Sequence, residues 1–216
     1  MDFVIAVDGA AASGKGTLAA LLAREHGLPH LDTGLLYRAV GHGVTEAGGD
    51  ASDPGAAARI ASALDPDALK NRALTSGAAG EAASRVAVHP AVRTALFDFQ
   101  RRFALQPGGA VLDGRDIGTV IAPEAPAKLW IDAALETRAK RRWLQTSARG
   151  DPRTLDEMID DLRLRDERDA GRETAPMLRH PDAVLLDTTD LSIEQAADAA
   201  RRIVDEARAR WQASKP

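Results

Sequence analysis

Cysteine is absent from the sequence, and aromatic residues are scarce. The lack of cysteine among 216 residues excludes disulfides, catalytic thiolates and zinc–thiolate sites, and it favours a reducing compartment, so we expect the cytoplasm. Aromatic residues make up 4%, with a single tyrosine, and the formal net charge is −4. Proteins that bind single-stranded nucleic acid present aromatic rings on a basic groove. We therefore expect no nucleic-acid partner.

Long apolar runs are also missing. No run approaches the roughly 20 residues that span a bilayer, and the first apolar run begins at Phe3, so we expect neither a membrane partner nor a signal peptide. Hydrophobic residues make up 44% of the chain and charged residues 28%. Together with the length, these values predict one globular domain with a sizeable core.

Five short apolar runs have the character of buried strands. Helical stretches separate them, which predicts an α/β fold: a five-stranded parallel sheet with helices on both faces. The runs are Phe3–Val7, His30–Leu31, Gly109–Leu112, Lys128–Ile131 and Val184–Leu186. An aspartate stands at or just after the end of each run: Asp8, Asp32, Asp113, Asp132 and Asp187. These carboxylates could serve a magnesium–phosphate site at the sheet edge, or each could simply open a turn or cap a helix.

Two segments interrupt the alternation of strands and helices. Residues 34–107 are Ala-rich and indicate a mainly helical insertion, whereas residues 138–172 indicate two helices joined at a helix-breaking tip, Ala148 to Arg153. Such a pair would form a hinged lid. We predict a single domain over residues 1–216, with its core formed by 1–33, 108–137 and 173–216.

Between the first strand and an Ala/Leu-rich helix, the chain reads Gly9-Ala10-Ala11-Ala12-Ser13-Gly14-Lys15-Gly16-Thr17. In this context the glycines let backbone N–H groups turn toward one anion, and the following helix adds its positive end. The segment therefore predicts a phosphate cradle, in which Lys15 reaches outer phosphates and Thr17 a magnesium ion. The spacing departs from the pattern G-x-x-x-x-G-K-[ST], because Gly16 follows the lysine and the hydroxyl comes one position later.

Polar and charged residues that could bind a ligand also follow the second and third strands. Thr33 would cap a helix carrying Tyr37 and Arg38, which suit stacking and phosphate binding, although taken alone this segment fits a plain helix start better. In the second segment, Asp113-Gly114-Arg115-Asp116, Arg115 suits a phosphate and Asp116 suits an exocyclic amine. The alternative there is an Asp–Arg turn that satisfies itself.

Arginines recur at helical spacing in the predicted lid. Arg138 and Arg142 lie four residues apart, and a second group would share one helix face: Arg165, Arg168, Asp169 and Arg172. This second group could be a solvated stripe of ion pairs. Alternatively, two arginine-bearing helices could close over a polyphosphate and exclude water, as phosphoryl transfer requires.

Taken together, these motifs resemble those of the bacterial cytidylate kinases, which are P-loop nucleoside-monophosphate kinases. The similarity extends over most of the chain, and Asp113-Gly114-Arg115-Asp116 is its most specific part. The late hydroxyl at Thr17 is normal in nucleoside-monophosphate kinases. The resemblance implies a nucleoside-monophosphate-binding insertion, a lid, and Mg²⁺-dependent transfer of the γ-phosphoryl of ATP to CMP and dCMP. We expect a monomer.

The resemblance also implies roles for individual residues. Gly9 to Thr17 would bind ATP, and Thr17 would hold magnesium, with Asp32 or Asp113 acting through water. The implied acceptor-binding residues are Thr33, Tyr37, Arg38, Ser84, Arg93, Arg115, Asp116, Arg165, Asp169 and Arg172. Arg38 would bind the acceptor phosphate, Asp116 the cytosine amine and Asp169 the sugar. The implied catalytic residues are Lys15, Arg115, Arg138, Arg142, Arg165 and Arg172, with Arg138 and Arg142 on the ATP side.

Three features depart from the family pattern. Ala10-Ala11-Ala12 stands where Pro-Ser-Gly is usual, and we expect Ala12 to alter the loop, because alanine tolerates positive φ less well than glycine. The insertion is shorter than in many members, which leaves the preference between CMP and dCMP open, and Ala170 replaces a frequent basic residue. Two alternative functions are a small P-loop kinase with another acceptor and a nucleotide-binding regulator without turnover.

Overall fold

The computed structural model describes residues 2–148 and 150–215, so Arg149 of the predicted lid tip lies outside the described residues. Five strands form one parallel sheet in the order β2-β3-β1-β4-β5. The strands are β1 (Val4–Gly9), β2 (His30–Asp32), β3 (Ala110–Gly114), β4 (Ala127–Asp132) and β5 (Val184–Asp187). The predicted five-stranded parallel sheet is confirmed.

The strands continue through the aspartates that follow the apolar runs. In the parallel ladders, Asp113 pairs with both Val7 and Asp32, and Asp132 pairs with Asp187. The predicted runs ended too early because they followed side-chain polarity, whereas the ladder is made by backbone groups that every one of these residues carries. The extra residues bring polar side chains to the carboxyl edge of the sheet.

Helices cover both faces of the sheet, as predicted. Ile5 and Val7 point to one face, where they pack with α1 (Lys15–His26) and α8 (Ile193–Ala213). Val4 and Ala6 point to the other face, against α2 (Thr33–Glu46) and the helices that follow it. This alternation follows from the two-residue period of a strand, and it buries β1 completely.

The two predicted segments are helical. Residues 34–107, all of them described, contain helices and turns and no strand; after α2 come α3 (Pro54–Ser62), two short 3₁₀ helices, α4 (Gly77–Val86) and α5 (Pro90–Ala104). The predicted lid contains α6 (Leu135–Ser147) and α7 (Leu155–Ala170), which pack through Ala139, Met158 and Leu162. Ala11 joins that small apolar cluster, so the lid helices rest on the glycine-rich loop. Among the described residues, no helix has the length and apolar character needed to cross a membrane.

Candidate active site

The glycine-rich loop connects β1 to α1 at the carboxyl edge of the sheet. It begins at Gly9, where a Cβ atom would lie 1.9 Å from the carbonyl oxygen of Ile131, and it ends at Gly14, whose φ is 92°. Ala12 adopts a φ of 60°, in the left-handed region. An L-residue there costs roughly 1–2 kcal/mol. The alanine is therefore accommodated with local strain, in a conformation that glycine would adopt freely.

Lys15 and Ser13 bring polar side chains to this loop. Nζ of Lys15 donates a hydrogen bond to the carbonyl oxygen of Ala10, at 3.2 Å. Burial, followed by the nearby charge of Arg115, lowers the pKa of Lys15 to about 7. The hydroxyl of Ser13 is buried and has no hydrogen-bond partner among the described residues. Both groups would gain by meeting an anion.

A donor cleft of about 570 Å³ opens beside the loop. Its walls include seven residues of the predicted ATP-binding run, Ala11 to Thr17, whereas Gly9 and Ala10 do not line it. The opposite wall lies on α6, α7 and the β5–α8 connection. It includes residues that the motifs did not identify: Arg141, Gln145, Leu162, Thr188, Leu191, Ser192 and Ile193. Their only signal in the sequence is that several of them follow the last strand, at the edge of the sheet where ligands collect.

Thr188 and Arg141 hold this opposite wall against the loop. The Thr188 hydroxyl lies 3.1 Å from the carbonyl oxygen of Ser13, to which it can donate. Arg141 donates to the same hydroxyl at 3.0 Å and to the Thr188 carbonyl oxygen at 2.6 Å. These contacts join the lid, the end of β5 and the phosphate loop.

Arg138 lies behind the loop and lines neither this cleft nor the acceptor cleft described next. Its guanidinium donates to the carbonyl oxygens of Ala133 at 2.8 Å and Ala11 at 3.3 Å, and it pairs with Asp166 at 2.7 Å. The spacing correctly grouped it with Arg142, which does line the donor cleft. Because Arg138 lies near the start of α6, however, it meets the carbonyl side of the loop and braces it.

The acceptor cleft, of about 180 Å³, lies on the other side of Lys15. The structure brings together all ten of the predicted acceptor residues along its walls: Thr33, Tyr37, Arg38, Ser84, Arg93, Arg115, Asp116, Arg165, Asp169 and Arg172. The local role predicted for Thr33 is wrong. Asp32 holds the N-cap position of α2, and the Thr33 hydroxyl donates to the Asp113 carbonyl oxygen at 2.8 Å, which ties the helix to β3.

Charged side chains in the acceptor cleft pair with one another. Asp169, almost fully buried, accepts from Nε of Arg115 at 3.0 Å, from the Ser84 hydroxyl at 3.4 Å and from Arg172. Although burial alone would raise it, Arg115 and Arg172 hold the pKa of Asp169 below its usual value. Arg172 was expected on the helix face, but α7 ends at Ala170, so Arg172 reaches Asp169 from beyond the helix.

A second buried pair, Arg93 and Asp116, closes the inner end of the cleft. The Arg93 guanidinium lies 5.7 Å from the centre of the Tyr37 ring. Burial raises the pKa of Asp116, and Arg93 opposes that shift. A carboxylate held in this way can accept from an exocyclic amine in the cleft without being freely solvated.

Five residues line both clefts: Lys15, Gly16, Arg38, Arg115 and Arg165. Four of them are cations. Burial, together with the charge of Arg115, lowers the pKa of Arg165 to about 10, and its buried Nε has no hydrogen-bond partner among the described residues. Like charges crowd together at this junction, which favours an anion with several oxygens. The junction is where a group could pass from one cleft to the other.

Two carboxylates of the acceptor cleft, Asp32 and Asp113, lie near Lys15 and suit a magnesium ion. Oδ1 of Asp113 lies 2.8 Å from Nε2 of His30, which leaves Oδ2 beside the loop. A Cβ atom at Gly16 would lie 3.6 Å from Oδ2 of Asp113, so this carboxylate lies beside the loop. Burial, and then the charge of Asp113, raise the pKa of Asp32. A divalent cation would relieve that repulsion. No group of three or more His, Cys, Asp or Glu residues suited to a metal occurs in the described part of the chain. Magnesium commonly takes one or two carboxylates and completes its shell with phosphate oxygens and water.

The remaining edge aspartates bind backbone groups instead. Asp132 accepts from the Ala133 N–H at 2.9 Å, and Asp187 accepts from the Thr189 N–H at 2.8 Å. Asp8 accepts from two backbone N–H groups of the segment after β3. Of the two interpretations that the sequence left open, the local turn-forming one applies to Asp132 and Asp187, whereas Asp8 binds a segment that is distant in the sequence.

Comparison with known proteins agrees with this geometry. The family model described as cytidylate kinase matches residues 5–206. A cytidylate kinase from Caulobacter sp. (strain K31) is 63% identical over 98% of both chains, and one from Caulobacter vibrioides (strain NA1000 / CB15N) is 59% identical over 97% of this chain and 99% of its own. A crystal structure of an uncharacterized protein from Eubacterium ventriosum ATCC 27560 shares the fold, with a TM-score of 0.54, 15% identity and coverage of 97% of this chain and 99% of its own. The chain belongs to the cytidylate kinase family.

Proposed function

We propose that this protein transfers the γ-phosphoryl group of ATP to CMP and dCMP, giving CDP and dCDP and so supplying pyrimidine nucleotides. The observation that carries the proposal is the meeting of two clefts at Lys15, Arg38, Arg115 and Arg165. Donor and acceptor phosphates would approach each other there, between cations that neutralise the transferring group. The reaction then proceeds by positioning and electrostatic stabilisation, without a covalent intermediate.

On the donor side, the loop holds the phosphates of ATP. Backbone N–H groups at the start of α1 and the ammonium of Lys15 bind the phosphate oxygens, and the Ser13 hydroxyl gains a partner. The lid helices pack on Ala11 through Met158 and Leu162, which keeps water away from that side of the loop. Arg138 braces the loop through the Ala11 carbonyl oxygen.

On the acceptor side, Arg38 binds the phosphate, and Asp116 accepts from the cytosine amine. Ser84 contacts the base, and Asp169 faces the sugar. The ion pairs that Asp116 and Asp169 make with Arg93, Arg115 and Arg172 hold these groups in place before the substrate arrives. Recognition therefore requires little reorganisation of the cleft, which is the arrangement that favours electrostatic catalysis. Arg115 lines both clefts, so it would contribute its charge to the transferring group while its Nε stays bonded to Asp169.

Magnesium would be held by Thr17 and by Asp32 or Asp113 acting through water. When bound, the ion neutralises charge on the ATP phosphates and orients them. This proposal is supported by the position of Asp32 and Asp113 in the wall of the acceptor cleft, where Asp113 lies beside Gly16 of the loop.

The test is ADP release measured with purified protein, ATP, Mg²⁺ and each of CMP, dCMP, UMP, AMP and GMP. We expect CMP and dCMP to give the highest kcat/KM. Turnover with AMP or GMP that equals turnover with CMP would indicate a kinase with another acceptor. ATP binding without turnover on any acceptor would indicate the regulator.

We also propose that the protein acts as a monomer in the cytoplasm. Residues of one chain line both clefts and bring the predicted donor and acceptor residues together, which supports a monomer. The intracellular nucleotide ATP is its donor. Sedimentation equilibrium in the presence and absence of both nucleotides measures the oligomeric state, and a mass above that of one chain would contradict the monomer.

A further inference from the structure

Asp8 is a buried carboxylate that lines neither cleft. It is 5% exposed and lies in β1, the central strand of the sheet. Its Oδ1 atom accepts from the backbone N–H of Ile117 at 2.8 Å, and its Oδ2 atom accepts from the N–H of Gly118 at 2.7 Å. Burial raises the pKa of Asp8 to about 7, and the two backbone N–H groups oppose that shift. When the carboxylate is ionised, both of its oxygens accept charge-assisted hydrogen bonds, which makes it a strong anchor.

The two N–H groups belong to the segment that recognises the acceptor. Ile117 and Gly118 follow Arg115 and Asp116 directly, at the start of a single π-helical turn, Ile117–Ile121. The first N–H groups of such a turn have no partner within it. Asp8 supplies that partner and thereby fixes the end of the acceptor turn next to Asp116.

The main chain of Asp8 is fixed equally firmly. It pairs with Gly114 of β3 on one side and with Trp130 of β4 on the other, and the next residue, Gly9, opens the phosphate loop. A single residue therefore connects the start of the donor loop to the end of the acceptor turn. No other carboxylate among the described residues accepts from these two N–H groups.

The approach of the turn to Asp8 depends on the glycine at position 118. A Cβ atom there would lie 3.3 Å from Oδ2 of Asp8 and 3.3 Å from Cδ of Lys128. Alanine at this position would be too close to the Asp8 carboxylate by a few tenths of an ångström, so the turn or the carboxylate would have to shift without the loss of any charge. It offers an independent way to change the same contact.

We propose that Asp8 is a positioning residue that sets Arg115 and Asp116 relative to the phosphate loop, and that it thereby governs selection of the acceptor base. This inference rests on the proposed function and extends it to a residue outside both clefts. Asparagine in place of Asp8 would retain one acceptor oxygen and direct an NH₂ group at the other N–H. The acceptor turn would then lose its register with the donor loop.

The experiment compares Asp8→Asn and Gly118→Ala with the wild type. Both variants should lower kcat/KM for CMP by about 10- to 100-fold, the equivalent of one charge-assisted hydrogen bond. They should lower the ratio of kcat/KM for CMP to kcat/KM for UMP. KM for ATP should change by less than about threefold. A matched control is Asp53→Asn, since Asp53 also accepts from two backbone N–H groups but caps α3 away from the clefts; its kinetics should be unchanged.

Hydrogen exchange followed by mass spectrometry reports on the contact without any turnover. Exchange should accelerate in the segment 113–121 of both variants, and exchange of α1 should be unaltered. This readout keeps the two proposals separable, because an inactive wild type would refute the CMP kinase proposal while leaving the anchoring measurable. The positioning role is overturned if Gly118→Ala and any folded Asp8→Asn protein keep CMP kinetics within twofold of the wild type. It is equally overturned if ATP and CMP kinetics decline together, which would indicate general destabilisation.

Discussion

The acceptor cleft and the donor cleft are built by different means. The acceptor cleft, about 180 Å³, is walled by charged side chains that already pair with each other, with Asp169 held between Arg115 and Arg172. The donor cleft, about 570 Å³, is walled on one side by a backbone loop and on the other by residues such as Arg141, Leu162 and Thr188. Away from the cations that the two clefts share, substitutions should act mainly through ion pairs in the first cleft and mainly through loop shape in the second.

The largest effect is expected at Lys15, which lies at the junction and belongs to both clefts. Lys15→Met should reduce kcat by about 10³-fold, because it removes a charge aimed at the transferring phosphoryl group. Lys140→Met, on the exposed side of α6, is the matched control and should leave kcat unchanged. Steady-state kinetics of the two variants measure the difference. A Lys15→Met enzyme with more than a tenth of the native rate would contradict the role of the junction.

A somewhat smaller effect is expected at Arg115, which lines both clefts and also pairs with Asp169 of the acceptor cleft. Arg115→Met should lower kcat/KM for CMP by about 10²-fold, because the variant loses a junction cation and releases Asp169. The melting temperature should change by only a few degrees, because the buried Asp169 keeps Arg172 and the Ser84 hydroxyl as partners. Arg201→Met, which removes an ion-paired arginine on α8, is the control for the loss of an exposed guanidinium. Early melting with full specific activity would make Arg115 a structural residue.

The residues of the acceptor cleft were easier to predict from the sequence than those of the donor cleft, because the two clefts are lined by different residue types. Seven of the ten residues predicted for the acceptor site are charged, and the family resemblance, together with these charges, selected a set that lines one cleft. The donor wall uses Thr188 and Leu191, residue types that occur everywhere, and only the phosphate loop opposite carries a distinctive pattern. Spacing placed Arg138 on the correct helix but could not tell that it meets the carbonyl side of the loop. The predicted sheet was correct, although side-chain polarity ended its strands too early.

A substitution at Thr188 tests whether ATP binding in the donor cleft depends on the contact between the phosphate loop and the opposite wall. Thr188→Val removes the hydroxyl that contacts the Ser13 carbonyl oxygen and accepts from Arg141. We expect KM for ATP to rise by about 2- to 10-fold, as for one neutral hydrogen bond, with KM for CMP unchanged. Thr45→Val, whose hydroxyl bonds only within α2, is the control. An equal rise in KM for ATP and in KM for CMP would show that the two clefts do not respond independently.

The pH dependence of stability offers a further test of the junction. In the folded protein the pKa of Lys15 is about 7, against an ordinary value of 10.5, so the folded state is destabilised by the charged lysine below pH 7. As the pH rises from 7 toward 10.5, the folded state releases this proton before the unfolded state does, and the destabilisation declines. Without nucleotide, Lys15→Met should therefore melt above the wild type at pH 6, and this advantage should shrink at pH 9. ATP with Mg²⁺ should reverse the order, whereas a difference independent of pH would contradict the lowered pKa.

The smallest effect is expected at Ala12, the alanine of the phosphate loop that adopts a positive φ. Glycine there would relieve the strain of a φ of 60°, worth roughly 1–2 kcal/mol, but it would add freedom to the unfolded chain and remove a methyl group that packs on the lid. Since these contributions oppose each other, Ala12→Gly should change the free energy of unfolding by less than about 1 kcal/mol. Ala12→Val should destabilise by about 2 kcal/mol or more, because a β-branched residue is poorly tolerated at positive φ. It should also raise KM for ATP without altering KM for CMP. Urea unfolding and kinetics of the two variants decide the matter: equal tolerance of glycine and valine would show that the backbone at Ala12 is not strained, and that the donor cleft does not depend on the shape of its loop.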